Sequence, residues 1–256
     1  MRRSSLTALA AAALAVVLTS CEYSGPHLAV PTPDASRVES VRLDACFAVS
    51  PEDCWAVGEL GIKDGRPEGL IVVSEDGGRK WRRLGGEHVD LVDVKPTCLH
   101  FVDRLRGYVG ARRITQDGHH RAAILRTYDG GGHWVETSLP IGDGIEILDL
   151  HTLEFASDFE GYISVMTKAA GETEIKETVY LTRDSGRSWT VGEFRLAPRT
   201  PAAKRDESFV PASAANGFRV RRSARPGVTV CEITASGGND WMPVAEFSPD
   251  YLPTWY

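Results

Sequence analysis

Carboxylates at fixed spacing from a hydroxyl and an indole are the first candidates for chemistry in this 256-residue chain. Ser74, Asp76, Gly78 and Trp81 form one set. Thr127, Asp129, Gly131 and Trp134 form a second, and Thr182, Asp184, Gly186 and Trp189 a third. A fourth, Thr234, Gly238 and Trp241, carries Ser236 where the others carry aspartate. A carboxylate can act as a general acid, a base or a nucleophile. Catalysis, however, needs one asymmetric constellation, and residues recurring once per unit suit architecture instead. A mechanical role accounts for each of them. Ser, Thr and Asp hydrogen-bond local backbone and pre-form a turn, and glycine admits positive φ where the chain reverses. The indole then packs back over the strands. These sets are expected to be structural, and no catalytic residue is assigned.

Other side chains offer binding chemistry. Arg219 and Arg221 alternate along a strand and so share one face, where they could form an anion or ligand patch; a solvated charged face is the alternative. Arg112, Arg113, Arg222 and Arg225 add to the basic supply. His119 and His120 follow a turn, point apart and make a poor chelate, so no metal is expected, and no cofactor. No G-x-S-x-G elbow seats a nucleophile. A binding face is expected in the loops around the central strands, where His100, Arg104 and Arg106 fall in the second unit.

Five cysteines are present. Cys46 and Cys54 flank Ser50-Pro51-Glu52-Asp53, a turn sequence, and could face each other across a hairpin as a disulfide. Cys98 and Cys231 then pair only by elimination; three connectivities exist, and four buried free thiols are the alternative. The fifth, Cys21, ends a leader. Arg2 and Arg3 precede an apolar run from Leu6 to Val17 that closes on Leu18-Thr19-Ser20-Cys21. About a dozen apolar residues are too few to span ~30 Å of hydrocarbon as a helix. The ending resembles the bacterial lipobox, which implies lipidation at Cys21. Residues 1–20 are then a signal peptide, 21–38 the lipidated cysteine with a proline-containing tether, and 39–256 the folded domain. The expected location is exported and lipid-anchored to the bacterial cell membrane or outer membrane, facing periplasm or exterior. The formal charge of −6 falls by two more when Arg2 and Arg3 are removed, which argues against nucleic acid as a partner.

The four tryptophans lie 53, 55 and 52 residues apart, the period of a repeat architecture. Upstream of each box a strand opens on Cys54-Trp55, Gly107-Tyr108, Gly161-Tyr162 and Gly217-Phe218. Further apolar stretches precede each strand and lead into each box, so every unit is expected to hold four strands of five or so residues. The expected fold class is all-β: a β-propeller of four-stranded antiparallel blades, with four blades recognised.

The S/T-x-D-x-G-x-x-W pattern is similar to the Asp-box (BNR) repeat of sialidases and related propellers. Gly107-Tyr108-Val109-Gly110 followed by Asp-Gly-Gly resembles the BNR-like propellers of the photosystem II assembly factor group. The resemblance covers residues 39–247 and implies boxes on outer turns, far from a central site. Two departures stand out: Ser236 replaces aspartate, and four units stand where that group has seven. The sialidase Arg-Ile-Pro segment is absent, and the chain is short for that enzyme. Four blades could close within one chain or form half of a larger ring made by two. The resemblance implies a membrane-tethered module that binds or assembles an envelope protein without catalysis. A carbohydrate-binding or sialidase-like glycoside hydrolase, with a glycan as partner, is the alternative.

Overall fold

The structure, a computed structural model, describes residues 35–84, 90–192, 207–211, 217–236 and 239–249, the backbone alone for 207–211. Cys21, the leader, most of the tether and Gly238 lie outside the described residues. Among the described residues a 3-10 turn at Ala35–Arg37 leads into sixteen strands. The first sheet holds β1 (Val38–Ala48), β2 (Cys54–Ile62), β3 (Glu68–Ser74) and β4 (Arg82–Arg83). The second holds β5 (Val94–Phe101), β6 (Gly107–Ile114), β7 (His120–Thr127) and β8 (Val135–Ser138). The third holds β9 (Ile145–Phe155), β10 (Gly161–Ala169), β11 (Ile175–Thr182) and β12 (Thr190–Val191). β13 (Glu207–Pro211), β14 (Gly217–Arg222), β15 (Thr229–Thr234) and β16 (Met242–Phe247) complete the fourth. Each sheet is a four-stranded antiparallel meander in chain order. The fold is all-β with four such sheets. Strand lengths depart from the uniform five expected: β1 and β9 run 11 residues, whereas β4 and β12 keep only 2.

Period-two alternation explains how sheets stack. Along β3, Leu70 and Val72 enter the apolar cluster shared with the fourth sheet, while Ile71 and Val73 enter the one shared with the second. Both faces are covered, so the strand reads as an unbroken apolar run. A third cluster joins the second and third sheets. Trp81, Trp134 and Trp189 each belong to a different one of these clusters, wedged against the preceding sheet.

The boxes sit on the turn between third and fourth strands and share one hydrogen-bond plan. The Gly78 N–H donates to Ser74 Oγ at 2.8 Å, Ser74 Oγ donates to Asp76 Oδ1, and Asp76 Oδ1 accepts the Lys80 N–H at 2.8 Å. Thr127 with Asp129 and Thr182 with Asp184 repeat this at 2.8–2.9 Å. In the fourth copy the Asp240 N–H donates to Ser236 Oγ at 2.8 Å, so a hydroxyl performs the aspartate's backbone task.

The box glycine is also a docking point. A Cβ on Gly131 would lie 2.5 Å from Leu84 of the first sheet, and one on Gly186 would lie 3.1 Å from Tyr108 of the second. One on Gly78 would meet Val244, Phe218 and Cys231 of the fourth sheet at 3.1–3.8 Å. Each glycine thus abuts the sheet one step earlier, and the first sheet's glycine abuts the last.

Candidate functional site

The first strands of the first three sheets carry the same irregularity. The pairing register shifts between Leu43 and Ala45, between Pro96 and Cys98, and between Leu150 and Thr152. One extra residue is bulged out in each, four positions before the strand end: Asp44, Thr97 and His151. Bulges re-aim side chains, and here all three bulged residues line one cavity of about 850 Å³. Thr97 Oγ1 donates to the carbonyl of Leu150 at 2.7 Å, tying the second sheet to the third. His151 Nε2 meets Glu177 Oε1 at 2.9 Å, and Asp44 accepts from Arg42 Nη2 at 2.9 Å.

Charge inside the cavity is mixed but unevenly paired. Arg42 also reaches Glu59 at 3.0 Å, and Lys95 lies 3.8 Å from the same carboxylate. Burial lowers the Lys95 pKa; Glu59 opposes this, while Arg42 and Arg112 push further down. Arg112 lines the wall beside them, its Nε is buried without a hydrogen-bond partner, and among the described residues no ion pair involves it. Asp149, Glu154 and Arg222 complete the charged lining. The Nδ1 atoms of His100 and His151 are likewise buried without partners among the described residues. Burial lowers the His100 pKa, opposed by Glu154. The His100 ring lies 4.7 Å from that of Phe47 and 5.9 Å from that of Phe155, forming an aromatic row across three sheets.

The residues expected from sequence divide between this cavity and other duties. Asp76, Asp129 and Asp184 stay at their turns, and none lines the cavity. Of His100, Arg104 and Arg106, only His100 does so, and it stands on β5 rather than in a loop. Arg104 binds Asp53 at 2.9 Å and Arg106 binds Asp158 at 2.5 Å, each clamping one hairpin tip to the next sheet's. Arg219 and Arg221 do share a face, where the anion they meet is the protein's own. Glu232, 4% exposed, takes Arg219 Nε at 2.6 Å and Arg221 Nη2 at 3.0 Å. Arg219 also stacks 4.3 Å from the Trp241 ring. His119 and His120 line a second cavity near the β6–β7 hairpin tip, and no metal-binding cluster occurs among the described residues.

The structure does not join Cys46 and Cys54 in the disulfide expected between them, although both are buried. Register explains it: Cys46 faces Ala56, and Cys54 faces Ala48. The two are diagonal neighbours, whose Cα atoms lie ~7–8 Å apart, beyond the ~7 Å that a disulfide tolerates.

Arg42, Asp44, Lys95, Thr97, Asp149, His151 and Glu154 are among the cavity residues that sequence reading missed. No signal in the sequence marks them, because these strands carry other polar residues as well, Glu39 and Ser40 in β1 and Glu146 and Thr152 in β9.

No family model matches the chain, and no curated protein does. Among solved structures, a thermostable family-43 glycoside hydrolase overlaps 80% of this chain and 73% of its own, at 12% identity and TM-score 0.38. A family PL25 ulvan lyase overlaps 77% of this chain and 53% of its own, at 10% identity and TM-score 0.37. The GH74 xyloglucanase from Xanthomonas campestris overlaps 78% and 38%, at 12% identity and TM-score 0.28. Overlaps this loose leave the chemistry of the cavity to its own residues.

Proposed function

We propose that this chain is a four-bladed Asp-box propeller that binds an acidic saccharide in the cavity between its inner strands. The observation that carries the reading is Arg112, in the wall of an 850 Å³ cavity: its guanidinium Nε is buried without a hydrogen-bond partner, and the side chain makes no ion pair among the described residues. A guanidinium recognises a carboxylate or sulfate by paired N–H donors. Around it, Asp44, Asp149 and Glu154 offer acceptors, while His100, His151 and Lys95 offer nitrogen groups that can donate. Interleaved donors and acceptors beside ring faces suit a hydroxyl-rich ligand carrying one negative charge. Glycoside hydrolysis uses two carboxylates flanking the scissile bond, and the cavity supplies that residue type.

Export with a lipid anchor at Cys21 is part of the same proposal and would hold this cavity at an envelope surface, where acidic glycans are accessible. A second reading, docking of an envelope protein, draws on Leu105 and Phe159. These occupy equivalent hairpin tips at 51% and 63% exposure.

Calorimetric titration with oligogalacturonates, sialyllactose and neutral maltotriose tests the main reading. An acidic sugar is expected to bind, the neutral one to fail, and Arg112→Met to weaken binding at least tenfold with the fold retained. Equal binding of both sugar classes, or of wild type and variant, would sink the proposal. Release of reducing ends during the titration would make the site an enzyme.

A further inference from the structure

A second cavity, also of about 850 Å³, follows the first along β9. Ile145, Glu146 and Ile147 line it, and the next three residues, Leu148, Asp149 and Leu150, line the first. The changeover falls where the β9–β10 register shifts and leaves Leu148 unpaired. A bulge re-aims side chains, so one strand serves the two cavities in succession. The second sheet makes the same handover. Arg112 lines the first cavity and pairs across β6–β7 with Ala122, which lines the second and belongs to the apolar cluster joining the second and third sheets. His120 stands two residues before Ala122, on the same face, and also lines the second cavity. Arg112 and His120 are therefore diagonal neighbours, ~7–8 Å apart at Cα, close enough for one ligand to touch both. Burial lowers the His120 pKa, and the Arg112 guanidinium lowers it further against the pull of Glu146. The His120 Nδ1 is buried without a hydrogen-bond partner among the described residues.

The two linings differ in charge. In the first, Arg42, Lys95, Arg112 and Arg222 stand beside Asp44, Asp149 and Glu154. In the second, Asp117, Asp143 and Glu146 face Arg121 and the two histidines. The Thr115 hydroxyl holds the Asp117 carboxyl below the usual carboxylate range, so it is ionised at neutral pH. Buried Ala122, Leu139 and Ile147 give the same cavity an apolar side. Carboxylates repel a second acid but accept hydrogen bonds from hydroxyls, and aliphatic groups suit the C–H face of a sugar ring.

We infer that the second cavity is an extension subsite of the first, taking neutral, hydroxyl-rich sugar residues joined to the acidic residue held at Arg112, with His120 contacting the ligand between them. The inference rests on the acidic-saccharide reading above and narrows it. The saccharide carries an acidic residue followed by neutral ones, and a run of consecutive acids does not fit.

Calorimetric titration of the full chain in detergent compares free acids with their extended forms. Sialic acid is set against sialyllactose, and glucuronic acid against glucuronosyl-xylobiose; galacturonic acid against digalacturonate supplies a second acid. In whichever series binds, the neutral extension is expected to tighten binding roughly tenfold or more, and the second galacturonate to add nothing. His120→Leu is expected to erase the gain from the neutral extension. Asp143 is exposed, so Asp143→Lys leaves the fold intact and is expected to let digalacturonate gain over galacturonic acid. Three results overturn the subsite and leave the reading of the first cavity standing. They are a free acid that binds as tightly as its neutral-extended form, a gain that survives His120→Leu, and a digalacturonate that gains in wild type or still gains nothing in Asp143→Lys. Failure of every acidic sugar to bind overturns both.

Discussion

Replacing Gly131 with alanine adds one methyl group and tests how the sheets dock. Two costs arise. Gly131 has φ of +98°, where alanine's Cβ strains against the backbone at ~1–2 kcal/mol. The new Cβ would also lie 2.5 Å from Leu84 Cδ1 and 3.1 Å from Leu84 Cδ2 and Cγ. Leu84 is 1% exposed in the joint between the first and second sheets and has nowhere to swing. Overpacking of this kind costs ~1–3 kcal/mol. Together the terms reach ~2–5 kcal/mol, a large part of the ~5–15 kcal/mol that holds a domain folded. In urea the midpoint should fall by about 1–2 M, followed by the fluorescence of the buried tryptophans. Gly118→Ala is the control: φ is +79°, yet nothing lies within 4 Å of the added atom, so only the backbone cost remains. Trimming Leu84 to alanine in the Gly131→Ala background should relieve the clash, so the double variant loses less than the sum of the singles. If Gly131→Ala costs no more than Gly118→Ala, the box glycine is a turn residue only, and the docking argument fails.

Acid should weaken the third box in a defined window. Burial works to raise the Asp184 carboxyl, but the Ser188 hydroxyl and N–H and the Thr182 hydroxyl outweigh it and leave its pKa at about 2. This value lies below the ~3.9 of an unfolded aspartate, so the stabilisation is complete above roughly pH 4 and is lost as pH falls toward 2. The stability gap between wild type and Asp184→Asn should therefore close over that window in acid-to-neutral urea titrations; a gap independent of pH would contradict it. Glu232→Ala should cost ~3 kcal/mol or more, because two guanidiniums lose the buried carboxylate on which they converge. Arg219→Met combined with Arg221→Met in that background should recover part of the loss in thermal melts.

Much of the architecture was legible because one local device repeats. A box needs only its hydroxyl, its short acceptor and its glycine to make the turn, and all are visible as letters at fixed spacing. The cavity is different. Strict alternation along β9 would put every second residue on one face, and the register shifts at Leu148 and His151 break that alternation. No letter near His151 announces it, and the same holds for Asp44 and Thr97. The patch at Arg219 and Arg221 failed as an outside anion site for another reason. Its counter-charge, Glu232, sits directly opposite Arg219 across the β14–β15 pair, and that register depends on the turn between the strands.

The docking rule bears on whether one chain or two complete the arrangement. Gly131 abuts the first sheet and Gly186 abuts the second, each resting on its predecessor in sequence. Gly78 has no predecessor, and it abuts Phe218, Cys231 and Val244 of the last sheet in the same chain. The Val41 N–H also donates to the Gly227 carbonyl at 3.1 Å, and the Thr229 hydroxyl meets Val41 and Leu43 backbone at 3.3 Å. A half-ring completed by a second copy would present this face of the first sheet to the partner's fourth sheet, leaving its own last sheet elsewhere. The face is already filled from within. A single chain in solution should therefore run as a monomer by light scattering once any lipid is removed. A stable dimer that dissociates on Gly78→Leu, with the sheets still folded, would transfer the joint to a second copy.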